Sequence, residues 1–123
     1  MYDYDVVCIG GGPGGSASAM RCADRGKKVA IIEARARNGS GGTCVNRGCI
    51  PTKALMASAN LYASIKEAKT YGINVDMSAV SVDFKAIDRR KNAVINGLGF
   101  GLEAMLWKKS RGIDVIKGRA RLL

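Results

Sequence analysis

Histidine is absent from the 123-residue chain. Imidazole is a common partner of cysteine at zinc, so its absence counts against a mixed zinc site. Acidic residues are scarce: 10 Asp and Glu stand against 20 Lys and Arg, for a net charge of +10. That balance raises nucleic acid as a partner. Yet aromatics make up only 6% of the chain, and no ladder of them interleaves with the basic residues. Arg21, Arg25, Lys27, Lys28, Arg35, Arg37, Lys66, Lys69, Arg89, Arg90, Lys91, Lys108 and Lys109 are scattered. They read as solvated helix faces and loops, and no nucleic acid is expected. No apolar run approaches the roughly 20 residues of a membrane span, so no membrane is expected either. Met1 leads directly into Tyr2-Asp3-Tyr4-Asp5, which reads as neither a signal nor a transit peptide. An organellar protein would carry its targeting segment outside this chain. Without a leader, and with 47% hydrophobic residues, the four cysteines do not read as a disulfide framework. The length suits one domain with a core.

What is present begins with a nucleotide-binding pattern. Asp5 to Ile9 is a short apolar run ending at glycine, the mark of a buried parallel strand. Cys8 within it reads as a small core residue. Gly10, Gly12 and Gly15 fill a G-x-G-x-x-G frame around Pro13 and Gly14. Gly10 allows a tight turn, Gly12 the close approach of a pyrophosphate, and Gly15 the packing of helix on strand. Ser16 to Arg25 reads as that helix, with Ala17, Ala19, Met20 and Ala23 as its packing face and Cys22 structural. Gly26 ends it. Lys28 to Ile32 is the second strand, closed by Glu33, 23 residues after Gly10. An acid there can accept hydrogen bonds from an adenosine ribose. On these residues alone the nucleotide is FAD or NAD(P).

The next stretch, Gly41-Gly42-Thr43-Cys44-Val45-Asn46-Arg47-Gly48-Cys49-Ile50-Pro51-Thr52-Lys53, holds two cysteines five positions apart. Pro51 suits the first position of a helix, where its missing N–H costs nothing. Cys49 then falls just outside the helix, beside orphan N–H groups that favour a thiolate. In an ideal helix, residues five apart have Cα atoms roughly 8–9 Å apart. A disulfide needs about 4.4–6.8 Å. Pairing therefore requires a distorted turn, which Gly48 permits. A strained, accessible disulfide is reducible, hence a redox couple more than a staple. Two structural cysteines or half a zinc site are the alternatives, although zinc usually takes cysteines two to four residues apart.

Beyond this stretch, Thr52 to Lys69 reads as a helix with an apolar stripe of Leu55, Met56, Ala59, Tyr62, Ala63 and Ile65. Lys53 falls in its first turn, where a cation opposes the dipole. Tyr71-Gly72 breaks the helix, and residues 73–81 connect to a second one. Asp83 is its N-cap and Arg111 its expected end, with Ile87, Val94, Ile95, Leu98, Leu102 and Leu106 as its stripe. Gly97, Gly99 and Gly101 weaken that helix by up to about 1 kcal/mol each. Gly112 ends it, Ile113 to Gly118 is a third strand and turn, and Ala120 to Leu123 begins another strand. The expected fold is α/β: the N-terminal part of a Rossmann-like domain, with a βαβ unit, two long helices and a partly parallel, incomplete sheet.

The run GGTCVNRGCIPTK, with Gly10–Gly15 and Glu33 upstream, resembles the redox signature of the flavin disulfide reductases. The likeness is greatest to their dihydrolipoamide dehydrogenase branch, and CVNRGC and GIDVIKGRARLL resemble its plastid type. It is strong to about Leu55 and looser afterwards. The resemblance implies an FAD-binding domain over residues 1–123, with the NAD and dimerisation domains absent from this chain. It implies oxidation of dihydrolipoamide through a Cys44–Cys49 disulfide and FAD to NAD. Cys44 would meet the substrate dithiol, Cys49 would lie next to the flavin, and Lys53 beside its ring. Gly10, Gly12, Pro13, Gly14 and Gly15 would hold the pyrophosphate and Glu33 the ribose. Ala34, Gly42, Thr43, Arg119 and Ala120 would also touch the cofactor. A lipoyl-bearing acyltransferase of a 2-oxo-acid dehydrogenase complex would be the partner, and the full-length protein a homodimer. The plastid stroma is the implied compartment, with mitochondrial matrix or cytoplasm as alternatives. The family draws a histidine-glutamate pair from its C-terminal domain, so the isolated chain is expected to be inactive. Glutathione reductase fits less well, since its branch tends to carry a second lysine where this chain has Thr52. Mercuric reductase and a truncated, non-catalytic nucleotide-binding fragment are the other readings.

Overall fold

A computed structural model of the chain describes residues 2–34, 41–106 and 112–122. Strand β1 (Val6–Ile9) leads through the glycine loop to helix α1 (Pro13–Ala23), which returns to β2 (Val29–Glu33). A short helix α2 (Gly42–Arg47) and a long one, α3 (Cys49–Glu67), follow. A 3₁₀ turn at Ala68–Tyr71 and another at Met77–Ala79 lead to α4 (Phe84–Leu106), and β3 (Ile113–Lys117) comes last. The three strands form one parallel sheet in the order β1-β2-β3. Val29 pairs with Val6 on one side and Ile113 on the other. β2 is thus flanked on both edges, and four of its five residues are buried, as a near-continuous apolar run requires.

The core lies on one face of this sheet. Ala19 of α1, Val29 and Ile31 of β2, Leu106 of α4 and Ile113 of β3 form its buried centre. Val6, Cys8, Met20, Cys22, Ala23, Leu102 and Val115 pack around them. On the opposite face Ala30 is buried, but Ile9 is 61% and Val7 49% exposed. Cys8 and Cys22 are core residues, as the sequence indicates. Ala17, expected on the packing face of α1, is exposed instead. The helix begins at Pro13, three residues earlier than Ser16, and its inward face runs through Ser16, Ala19, Met20, Cys22 and Ala23, leaving Ala17 on the far side.

Several boundaries move for identifiable reasons. α3 starts at Cys49, not at Pro51. Pro51 is tolerated because the third residue of a helix has no intrahelical N–H bond to lose. Cys44, expected in a distorted turn, lies inside the short helix α2. The distortion falls on Gly48, whose backbone angles of −125° and −107° separate the two helices. Gly72, in the left-handed region at φ 78°, ends the 3₁₀ turn after α3. Asp83 caps α4 as expected: its Oδ1 accepts the N–H of Ala86 at 2.9 Å. α4 runs unbroken through Gly97, Gly99 and Gly101, with Gly99 buried. Its expected end at Arg111 and the loop 35–40 lie outside the described residues. Ala120 to Leu122 are not a strand. A strand exists only through its ladder, and they pair with none of the described residues.

The α3 stripe is mostly uncovered: Leu55, Met56, Ala59, Tyr62 and Ala63 are exposed and Ile65 half-buried, and Ala54 is the buried residue of the helix. Ala54 faces α4, where Arg90 Nη1 donates to its carbonyl at 3.0 Å.

Helix α1 approaches β1 most closely at Gly15. A Cβ there would stand 1.9 Å from the Gly10 carbonyl oxygen, whereas one at Gly14 would meet open space. Gly15→Ala should therefore destabilise the chain by about 1–3 kcal/mol or more. Gly14→Ala should be neutral, or stabilising by up to about 1 kcal/mol. Urea midpoints of the two variants check the contrast, and equal midpoints would remove Gly15 as the packing glycine.

Candidate functional site

The glycine loop sits at the carboxyl end of β1, beside the carboxyl end of β2. In an open parallel sheet that crevice is where ligands bind. Gly10 turns the chain at φ 97°, a left-handed conformation that favours glycine. Gly12 is the N-cap of α1 with no side-chain cap, and Pro13 is its first residue. The first N–H groups of α1 therefore point from the loop with no acid in the first turn to occupy them. That arrangement suits a phosphate.

Glu33 closes the crevice. Its Oε2 accepts the N–H of Gly11 at 2.7 Å, in a buried hydrogen bond. The bond holds the carboxylate against the glycine loop, where the sequence places an acid for a ribose. Gly11 is a crossing point that the sequence pattern does not single out. Its carbonyl accepts from Ser16 Oγ at 2.8 Å and from the N–H of Gly41 at 2.8 Å. The signals for it are a serine in the first turn of α1 and a second glycine pair before Thr43. Gly118 donates its N–H to the Glu33 carbonyl at 2.9 Å, so Arg119 and Ala120 leave the sheet at this same edge. Arg119 is exposed and Ala120 half-buried. Ala34, next to Glu33, is exposed as well.

The redox stretch is locked to the loop by backbone contact. Gly41 and Gly42 both adopt positive φ, 98° and 55°. A Cβ on Gly42 would lie 2.8 Å from the Gly12 Cα. Two glycines face each other because no side chain fits between them. Thr43 follows, exposed, and Cys44 comes one residue later. The glycine loop, the uncapped helix start and the placed acid together fit a dinucleotide.

Cys44 and Cys49 are brought together across Gly48, and both are free thiols. A Cβ on Gly48 would meet the Thr43 carbonyl oxygen at 3.0 Å, so the reversal between the helices is tight. The Cys44 thiol donates to Cys49, and this hydrogen bond pushes its pKa above the ordinary thiol range. Burial and the Cys49 charge push the same way, while the Cys49 N–H facing the Cys44 sulfur opposes them. The two sulfurs are unequal in access too: Cys49 is exposed and Cys44 half-buried. Lys53 stands one turn after Cys49, on the same face of α3, and is exposed. Among the described residues, no three of His, Cys, Asp and Glu are grouped to hold a metal ion. No described helix is long and apolar enough to cross a membrane.

A pH dependence follows for the reduced chain. A raised thiol pKa leaves less thiolate at a given pH, and thiolate is the alkylated form. Cys49 should be labelled first by iodoacetamide at pH 8, with Cys44 lagging until higher pH. Cys49→Ala removes the hydrogen-bond acceptor and should move the Cys44 profile to lower pH. Peptide mapping after timed labelling checks both, and an unmoved Cys44 profile would exclude the hydrogen bond as its cause.

Residues 4–122 match the pyridine nucleotide-disulphide oxidoreductase family. The chain is 42% identical over 121 residues to a dihydrolipoyl dehydrogenase of Chlamydia pneumoniae, covering 98% of this chain and 25% of that protein. A dihydrolipoyl dehydrogenase of Bacillus subtilis is 42% identical, with 98% and 24% covered. The mitochondrial dihydrolipoyl dehydrogenase 2 of Arabidopsis thaliana is 41% identical, with 98% and 23% covered. The chain thus spans about a quarter of the length of these relatives. They are bacterial and mitochondrial, and give no support to a plastid compartment. A match across nearly every residue, over a fold that sets an acid, a glycine loop and a dithiol along one crevice, has one reading: the chain belongs to the pyridine nucleotide-disulphide oxidoreductase family.

Proposed function

We propose that the chain is the N-terminal FAD and redox-disulfide portion of a dihydrolipoyl dehydrogenase. Residues 1–123 form the first part of its FAD-binding domain. The NAD-binding and dimerisation domains lie in the remaining length that the relatives have. The observation that carries this reading is the backbone contact between Gly12 and Gly42. It sets the dithiol helices directly against a loop built for a pyrophosphate.

Bound there, FAD supplies the two-electron acceptor that stands between the dithiol and NAD. Gly10, Gly12, Pro13, Gly14 and Gly15 hold its pyrophosphate, and Glu33 its ribose. Gly42, Thr43 and Lys53 would also contact it, as would Ala34, Arg119 and Ala120 where the chain leaves the sheet. The chemistry of the chain itself is thiol exchange. A thiolate of dihydrolipoamide attacks the Cys44 sulfur, the Cys44–Cys49 bond breaks, and Cys49 leaves with the electron pair. The second lipoyl thiolate then attacks the lipoyl sulfur of the mixed disulfide and expels Cys44. Lipoamide is oxidised by two electrons, the cysteine pair is reduced by two, and two protons move from substrate to enzyme or solvent. The tie from Cys44 S–H to Cys49 keeps the two sulfurs within reach of each other for reclosure.

The partner is a lipoyl-bearing acyltransferase of a 2-oxo-acid dehydrogenase complex, and the full-length protein is a homodimer. Residues 1–123 contribute the dithiol and the glycine loop to that enzyme.

In the full-length protein, Glu33→Ala should weaken FAD retention by about 1.5–3 kcal/mol, the range for hydrogen bonds to a charged group. Flavin released on dilution, followed by fluorescence, measures it. Unchanged retention would remove Glu33 from the cofactor site. Cys44→Ser and Cys49→Ser should each abolish dihydrolipoamide oxidation while keeping the flavin. Residual oxidation in either variant at the wild-type rate would overturn the disulfide role.

A further inference from the structure

The dithiol depends on where α2 ends and α3 begins, yet Gly48 between them has no side chain to fix the angle. The restraint has to come from outside. α4 packs against both helices, and so supports both sulfurs from one element. Ala54 is the buried residue of α3, and a methyl group offers little surface or direction. The directional tie is Arg90 Nη1, which donates to the Ala54 carbonyl at 3.0 Å across 36 residues of sequence. Ala54 is five residues from Cys49 and next to Lys53. The guanidinium therefore grips the turn that carries the redox face of α3.

We propose that Arg90 is a positioning residue for the Cys44–Cys49 pair, holding the start of α3 so that the two sulfurs stay within bonding reach. The proposal rests on the redox reading of the two cysteines. It concerns the equilibrium of the exchange Cys44–SH + Cys49–SH + GSSG → Cys44–S–S–Cys49 + 2 GSH. The cysteine pair loses two electrons and two protons, and glutathione disulfide gains both. The constant for this exchange is an effective molarity of one thiol for the other, and effective molarity falls when reacting atoms are less well held.

The neighbouring arginine supplies a matched control. Arg89 carries the same charge on the same helix, but its partner is Asp83 at 3.7 Å, both side chains well exposed. Arg89→Met removes a charge without touching α3. Arg90→Met removes the same charge together with the tie.

The 123-residue chain is equilibrated in glutathione buffers of graded ratio, quenched and digested with trypsin. Cleavage after Arg47 separates the two cysteines, so linked peptides report the bond between them. Arg90→Met should lower the exchange constant about three- to tenfold. Arg89→Met should leave it within about twofold of the parent. Arg90→Lys, which keeps the charge and a single donor, should fall between parent and Arg90→Met. It also carries the test if Arg90→Met does not fold. A merely stabilising Arg90 would lower the unfolding midpoint and leave the constant of the folded chain unchanged, and that result would overturn the proposal. An equal drop in Arg89→Met would overturn it too, by assigning the effect to net charge. If the parent forms no Cys44–Cys49 bond at any ratio, the redox reading itself falls and this inference with it.

Discussion

The structure depends on one backbone contact, where Gly42 meets Gly12 with no side chain between them. It joins the nucleotide side of the crevice directly to the redox side. The Gly41 N–H reaches the Gly11 carbonyl beside it, and Ser16 reaches the same carbonyl from α1. A packed contact and one hydrogen bond thus fix the start of α2 to the glycine loop, and a second hydrogen bond ties that loop to α1. Any Cβ at Gly42 would force the two segments apart, and the positive φ of Gly42 already disfavours a side chain. Cys44, two residues on, takes its position from this junction.

Glu33 ties the same loop to the sheet. Its carboxylate holds the Gly11 N–H, and its carbonyl holds Gly118. One residue at the end of the central strand therefore anchors the loop after β1 and the turn after β3. Burying a carboxylate is costly unless it is hydrogen-bonded, and here the bond defines the crevice. Ala34, which follows Glu33, Thr43, which follows Gly42, and Arg119, which follows Gly118, are all exposed. Their side chains are free of the core.

The dithiol shows how two chemically identical groups are made unequal by a short reversal of the chain. Cys44 sits in a six-residue helix, half-buried, with its S–H directed at Cys49. Cys49 is the exposed first residue of a 19-residue helix. The chain around them has little apolar packing of its own. α3 buries Ala54 and leaves most of its apolar stripe to solvent. The position of the sulfurs is accordingly a matter of backbone contact and α4 support more than of a surrounding core.

Much of this was legible in the residue order. The βαβ unit could be read because a strand ending in Gly10, a helix after Gly15 and an acid at Glu33 are each dictated locally. Gly48 as the point of distortion could be read because Cys44 and Cys49 can pair only across a distorted turn, and a glycine permits one. Asp83 as a cap and Gly72 as a stop are likewise local chemistry. Other features were decided by tertiary contact. The Gly41-Gly42-Thr43 stretch looks like loop, yet it opens a helix, because Gly42 is held against Gly12. Ala120 to Leu122 has a strand's composition but no neighbour to complete a ladder. The stripe of α3 has a helix's period, but period says which residues share a face and not whether anything covers it. Arg90 was one basic residue among 20 until the fold brought it to the Ala54 carbonyl. Sequence determined what each segment could form, since propensity, capping and spacing act over a few residues. Which segments touch was decided by the tertiary structure, since a contact across 36 residues leaves no periodic trace in the chain.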